Sequence, residues 1–387
     1  MRLPRLIAIG VVLSTVLAAC APTATPSPTT APAAKPTEPA KPAAAASPGA
    51  SPSPSPSPSP SPSPAAAVPA KPSGPMTKVR VTQAAATLAF LPTNVGRAKG
   101  FFTEEALEVE QVSTGGGGPD LQALIAGEAQ FNQGAGTYQA DALRQGRKVM
   151  NVFNYLNKNV VNSAIHVDAA REKGITETSS LQEKLAGIKG LKLGGTRPGA
   201  LTFQQAEYVV RLAGFSPQNE VQVVGAGEGP ALIAALENRQ VDIIFQTIPV
   251  PEQAIARGRA IMFINNAAGE DPSLVPFNME NVYTTPDLVE KEPDLVQRFV
   301  RAIKKSNDFI VQSSPEQIAD AIKDDEFFKN TEREVLIAGI TNIKAATNPT
   351  GILDKQAVEN TLKMQQQTVN PDDVYALFTD RFVRAAP

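Results

Sequence analysis

The residues best suited to hold a polar guest lie in two short glycine runs. The first is Ser113-Thr114-Gly115-Gly116-Gly117-Gly118-Pro119-Asp120, and the second is Gly225-Ala226-Gly227-Glu228-Gly229-Pro230. Each leads into one apolar-faced stretch, Leu121 to Leu124 and Ala231 to Leu236. Proline suits the first position of a helix, where its missing N–H would be unpaired anyway. Glycines let backbone amides approach a guest closely, and a helix N-terminus favours anionic or polar groups. The chemistry on offer is binding through main-chain amides. Side chains for bond-making are scarce: the chain has one His, His166, and one Cys, Cys20. A single Cys allows no internal disulfide and no cysteine-cluster metal site. His166 sits in a strand pattern and reads as structural, as does Asp242 at a strand end.

Two copies of one unit suggest two similar α/β lobes facing each other. Around the first copy, strands are expected at Lys78–Thr82, Leu107–Val112, Ala129–Asn132 and Lys148–Tyr155. Between them come a helix from Leu91 to Lys99 ended by Gly100, and another with Thr137 as N-cap and Gly146 as stop. This rhythm predicts a parallel sheet with covering helices. Asn157-Lys158-Asn159 marks a crossing into the second lobe. Its strands are expected at Val160–Val167, Leu191–Gly194, Glu220–Val224, Asp242–Phe245 and Ala260–Ile264. Glu280–Thr284 should carry the chain back, and the helical pattern after Pro293 should wrap the first lobe. The fold class is α/β with two lobes and two crossings: residues 77–157 and 270–387 form lobe 1, and residues 158–269 form lobe 2.

The charges nearly balance, 36 basic against 38 acidic residues for a net −2, with no long basic run. That speaks against a nucleic-acid partner. Residues 1–20 read as a signal peptide: Arg2 and Arg5, an apolar core from Leu6 to Val16, then Leu17-Ala18-Ala19-Cys20. This ending resembles a bacterial lipobox, which implies cleavage before Cys20 and lipidation of its thiol with palmitate-type acyl chains. Residues 21–76 are rich in Ala, Pro and Ser, with strict Ser-Pro alternation from Ser51 to Pro64. Such composition cannot bury a core and predicts a disordered tether with polyproline-II bias.

Four blocks of the folded part resemble the extracytoplasmic solute-binding proteins of ABC importers, in the branch serving nitrate, sulfonates, taurine and pyrimidine precursors. They are Leu91-Pro92 through Gly100-Phe101-Phe102, Leu121 through Gly127-Glu128-Ala129-Gln130-Phe131, Gly187 through Gly194, and Ala235-Leu236-Glu237 through Val241-Asp242. The resemblance spans nearly everything from Thr77 onward. It implies a type II periplasmic-binding-protein fold whose lobes close on a ligand. It also implies a cleft lined by loops that follow strands. In lobe 1 these carry Thr87 and Phe90; Thr114, Gly115 and Gly116; and Ala135, Thr137 and Tyr138. In lobe 2 they carry Thr196, Arg197, Gly199 and Ala200, then Gln246 and Thr247. Arg197 is either a bidentate clamp on an anionic group or a solvated surface residue. Thr196 could donate to a ligand, whereas Thr202 reads as satisfying its own helix. Phe90 and Tyr138 could stack on a flat ligand, although aromatics near helix starts more often belong to the core.

The same resemblance implies a monomeric, lipid-anchored receptor on the outer face of the cytoplasmic membrane. Its partners would be an ABC permease with its cytoplasmic ATPase, and its ligand a small organic anion or polar heterocycle. A flat pyrimidine- or flavin-type compound is the alternative ligand. Neither cofactor nor metal is expected. Related enzymes on this fold include pyrimidine synthases, which carry a cysteine-rich motif that this chain lacks, and dehydratases. A non-enzyme is therefore expected.

Overall fold

The computed structural model describes residues 75–115, 117–217 and 219–386. The expected signal peptide, Cys20, the tether up to residue 74, and Gly116 lie outside the described residues.

Among the described residues, ten strands form two five-stranded sheets. They are β1 (Thr77–Gln83), β2 (Leu107–Ser113), β3 (Phe131–Ala135), β4 (Met150–Leu156), β5 (Val161–His166), β6 (Lys192–Gly195), β7 (Gln222–Gly225), β8 (Ile243–Thr247), β9 (Ala260–Ile264) and β10 (Glu280–Thr284). The first sheet has the order β2-β1-β3-β10-β4, and the second β7-β6-β8-β5-β9. The two match position by position. In each, the second strand is parallel to both neighbours, and the fourth is antiparallel to both of its own.

The sheets are thus mixed, where the β-α rhythm predicts a parallel one. The antiparallel strand of each sheet is the one that adjoins a crossing: β5 follows the first, and β10 follows the second. A strand arriving from the other sheet is not tied to the right-handed crossover that keeps consecutive βαβ strands parallel. Its direction is set by where the chain comes from.

Both glycine units fold as their residues suggest. Helices Pro119–Ile125 and Pro230–Glu237 begin at proline, with Gly118 (φ 110°) and Gly229 (φ 50°) as N-caps. The helix Thr137–Arg144 differs from expectation: Gly136 is its N-cap, and Thr137 is the first helical residue, with no side-chain cap bond. A Cβ at position 136 would collide with the Asn278 backbone carbonyl, so only glycine fits there.

The long helix Pro293–Gln312 covers the first sheet. Val296, Phe299, Val300 and Ile303 recur at helical spacing and are fully buried. The Phe299 ring stacks on Phe131 of β3, with centroids 3.8 Å apart. Each such side chain removed from water contributes about 1.5–3 kcal/mol before entropy is counted. His166 closes β5 and caps the helix Val167–Lys173, its Nδ1 accepting from the Asp168 amide at 3.1 Å. Asp242 accepts from the Lys192 amide at 2.9 Å and from Arg239 at 3.0 Å, a structural role. Among the described residues, no helix is long and apolar enough to cross a membrane.

Candidate functional site

A cavity of about 40 Å³, counted as space open to the centre of a water molecule, lies where the two sheets face each other. The first-sheet side contributes Ala84, Ala85, Phe90, Gly117, Ala135, Tyr138 and Glu280; the second contributes Thr196, Ala200, Leu201, Thr202, Gln246 and Thr247. These residues cluster at the carboxyl ends of β1, β3, β6 and β8, where open α/β sheets offer a crevice.

On the first side, the chain leaves β1 through Ala84 and Ala85 and turns at Leu88–Phe90. Phe90 packs with both alanines and Ala89 in a small apolar cluster beside the cavity. Tyr138 rises from the start of the helix after β3. Its hydroxyl donates to Asp120, lying 3.1 Å from each carboxylate oxygen. Glycines make room for it: a Cβ on Gly117 would lie 2.5 Å from the Tyr138 hydroxyl, and one on Gly134 2.5 Å from its ring.

Asp120 is wholly buried. It also accepts from the Gly118 amide at 2.8 Å and from the Asn132 side-chain amide at 3.1 Å. Burial raises its carboxyl above the ordinary range, and these donors pull it back. Glu280 opens β10 and pairs with Ala135, the last residue of β3. Because β10 is antiparallel, its first residue stands at the same edge as the last of β3, and so in the cavity wall. Glu280 is 3% exposed, and its Oε2 has no hydrogen-bond partner. Burial pushes its carboxyl well above the ordinary range, and the charge of Asp120 adds to this.

On the second side, Thr196 follows β6. Its amide donates to the Thr202 hydroxyl at 3.0 Å, and the two hydroxyls pair at 2.8 Å. Thr202 thus lines the cavity while satisfying backbone, in the first turn of the helix Leu201–Leu212 capped by Ala200. Gln246 ends β8 with Thr247. Its Oε1 accepts from the Thr247 amide at 2.7 Å, which turns Nε2 away, and Nε2 has no partner.

Of the residues expected at the site, the fold brings Phe90, Ala135, Tyr138, Thr196, Ala200, Gln246 and Thr247 to the cavity wall. Thr87 stands just behind, its hydroxyl accepting from that of Thr247 at 3.0 Å. Thr137 is buried, with its hydroxyl unpartnered, but is not in the wall. Thr114, Gly115 and Arg197 lie together outside it: Arg197 Nη2 donates to the Thr114 carbonyl at 3.2 Å and would lie 3.4 Å from a Cβ on Gly115. Gly199 is exposed, at φ +85°.

Sequence reasoning placed Glu280 only at the start of the returning stretch and gave neither it nor Asp120 a role at the site. These two carboxyls sense each other's charge. Asp120 had one signal, its place just after Gly118-Pro119; Glu280 had none.

Residues 88–318 match the sequence profile of the family described as NMT1/THI5 like. YtlA of Bacillus subtilis (strain 168), whose name is that of a binding protein, is 23% identical over 269 residues, covering 70% of this chain and 76% of YtlA. Among solved structures, a Bordetella bronchiseptica RB50 protein superimposes with a TM-score of 0.69 at 21% identity, covering 80% of this chain and 96% of that one. The periplasmic nitrate-binding protein NrtA of Synechocystis PCC 6803 gives 0.64 at 13%, covering 80% and 88%. The alkanesulfonate-binding protein SsuA of Xanthomonas axonopodis pv. citri, bound to MOPS, gives 0.60 at 12%, covering 80% and 100%. These likenesses establish a two-sheet periplasmic-binding-protein fold. With the profile spanning more than half of its length, the chain belongs to the NMT1/THI5-like family.

Proposed function

We propose that the chain is the extracytoplasmic solute-binding component of an ABC importer. It captures a small organic anion or polar heterocycle between two closing lobes and delivers it to a membrane permease with its cytoplasmic ATPase. The observation that carries this reading is a cavity walled by both sheets, with aromatic and polar side chains converging from each. At about 40 Å³ it has room for a few waters only, far below the ~300 Å³ at which small-molecule pockets begin. A solute larger than a few waters fits only if the walls move apart, and the hinge behaviour of binding proteins would supply that movement. Family membership and the names of NrtA and SsuA support the same reading.

In this reading the lobes are residues 77–157 with 270–387, and 158–269. The protein acts as a monomer held to the membrane by lipid on Cys20, and residues 21–76 serve as its tether. Binding is favoured over catalysis because the described cavity wall contains no His, Cys, Lys or Arg. Proton transfer would fall to Glu280, with Tyr138 committed to Asp120. Small-angle scattering of the whole chain tests the closure: a bound solute should reduce the radius of gyration, and an unchanged radius at saturation would refute a hinged receptor.

A further inference from the structure

We propose that Glu280 and Gln246 form a two-ended reader that selects solutes bearing a cationic or N–H-donating group on one edge and an acceptor elsewhere on the rim. The same pair would reject carboxylates, sulfonates and other anions. This rests on the solute-binding reading and narrows it to the heterocycle side.

The first-sheet end of the cavity offers acceptors. The Glu280 carboxylate stands in the wall, almost wholly buried, and Oε2 receives no hydrogen bond. A buried carboxylate oxygen without a donor is costly, and a donor on the guest removes that cost. Asp120 lies behind it and adds negative potential. Tyr138, the other polar group on this side, has committed its proton to Asp120. A cationic or N–H-donating guest compensates Glu280 in its charged form, whereas an anion could pair only with the protonated acid, with the charge of Asp120 against it.

The second-sheet end offers a donor. Thr247 holds Gln246 by its Oε1, which leaves Nε2 of the amide buried without a partner. The helix Leu201–Leu212 starts at the wall through Ala200, Leu201 and Thr202, and its positive end favours an acceptor on the guest. The Thr196 and Thr202 hydroxyls pair with each other. Arg197, the basic residue nearest in sequence to this wall, is engaged with the Thr114 carbonyl. No cation in the wall would therefore balance an anionic solute against Glu280 and Asp120. Between the two ends, Phe90, Tyr138, Ala84, Ala85 and Leu201 give an apolar, partly aromatic lining for a flat body.

Three probes with the same ring test the ends separately: benzamidine presents donors only, benzamide a donor and an acceptor, and benzoate acceptors only. Melting of the whole chain at neutral pH with each probe at millimolar concentration gives the ranking. Benzamidine and benzamide should raise the melting temperature, and benzoate should not. Glu280→Gln should weaken benzamidine on the order of ten- to a hundred-fold while changing benzamide less. Gln246→Glu keeps the acceptor that holds Thr247 and replaces the donor, so it should weaken benzamide relative to benzamidine. Benzoate stabilising as well as benzamidine, or Glu280→Gln leaving the ranking unchanged, would overturn the inference and leave solute binding standing. If no probe of any charge shifts the melt, the inference also falls, and solute binding is decided by the scattering measurement alone.

Discussion

The guanidinium of Arg197 donates to the backbone carbonyl of Thr114 across 3.2 Å, joining the loop after β6 in one sheet to the loop after β2 in the other. Its charge is not spent in the cavity wall. It also acts on half-buried Glu228, whose carboxyl burial pushes up and Arg197 pulls back. Arg197 thus bridges the two halves.

Arg197→Ala should therefore leave solute affinity within a few-fold of the parent and cost no more than about 1 kcal/mol of stability, as partly exposed polar contacts do. Calorimetry and denaturant unfolding measure both. A ten- to hundred-fold loss of affinity would put the guanidinium on the ligand.

Glu280 should make stability fall with rising pH. A carboxyl whose pKa is higher folded than unfolded binds its proton more tightly in the native state. Native stability is then lost as pH rises from the ordinary value of 4.5 through the raised one. Asp120, Tyr138, Tyr155 and Tyr283 face it electrostatically, and the three tyrosine hydroxyls are themselves pushed well above 10.0. None of the three titrates in this window. Asp120 shifts in the same direction as Glu280, so a difference measurement is needed. Relative to the parent, Glu280→Gln should gain stability progressively above pH 4.5 in urea unfolding at a series of pH values. A gap that does not widen with pH would show that Glu280 is not the buried acid described.

Gly134→Ala should destabilise by about 1–3 kcal/mol, the usual cost of forcing an extra methyl into a packed core. The added Cβ would sit 2.5 Å from the Tyr138 ring, which Asp120 and Gly117 hold in place. A denaturant midpoint equal to the parent's would mean that the ring is free to move.

These residues also mark where the sequence is readable. Gly118-Pro119 and Gly229-Pro230 announce helix starts because proline and glycine act locally, and both helices start there. The β-α rhythm likewise follows from local hydrophobic period. Thr137 misleads as an N-cap because the deciding contact is with Asn278, far along the chain. The role of Glu280 is invisible for the same reason. The sequence places Glu280 at the start of the returning stretch, and only the antiparallel pairing with Ala135 brings the acid to the cavity edge. In the second sheet Val161 holds the equivalent place opposite Thr247, so the acid is confined to one side.

Cys20→Ser should release the protein from membranes or leave its precursor uncleaved. Fractionation and mass of the processed chain decide this: unchanged membrane association with normal processing would contradict the anchor.

The central claim is that the cavity between the sheets holds a small solute. Mass spectrometry of molecules released on denaturing protein from its native cells would identify that solute, and calorimetry would return it to the protein. Ala200 is buried in the wall, so Ala200→Trp should plug the cavity. The account predicts one solute bound per chain by the parent and none by the plugged variant. Undiminished affinity in Ala200→Trp would contradict it.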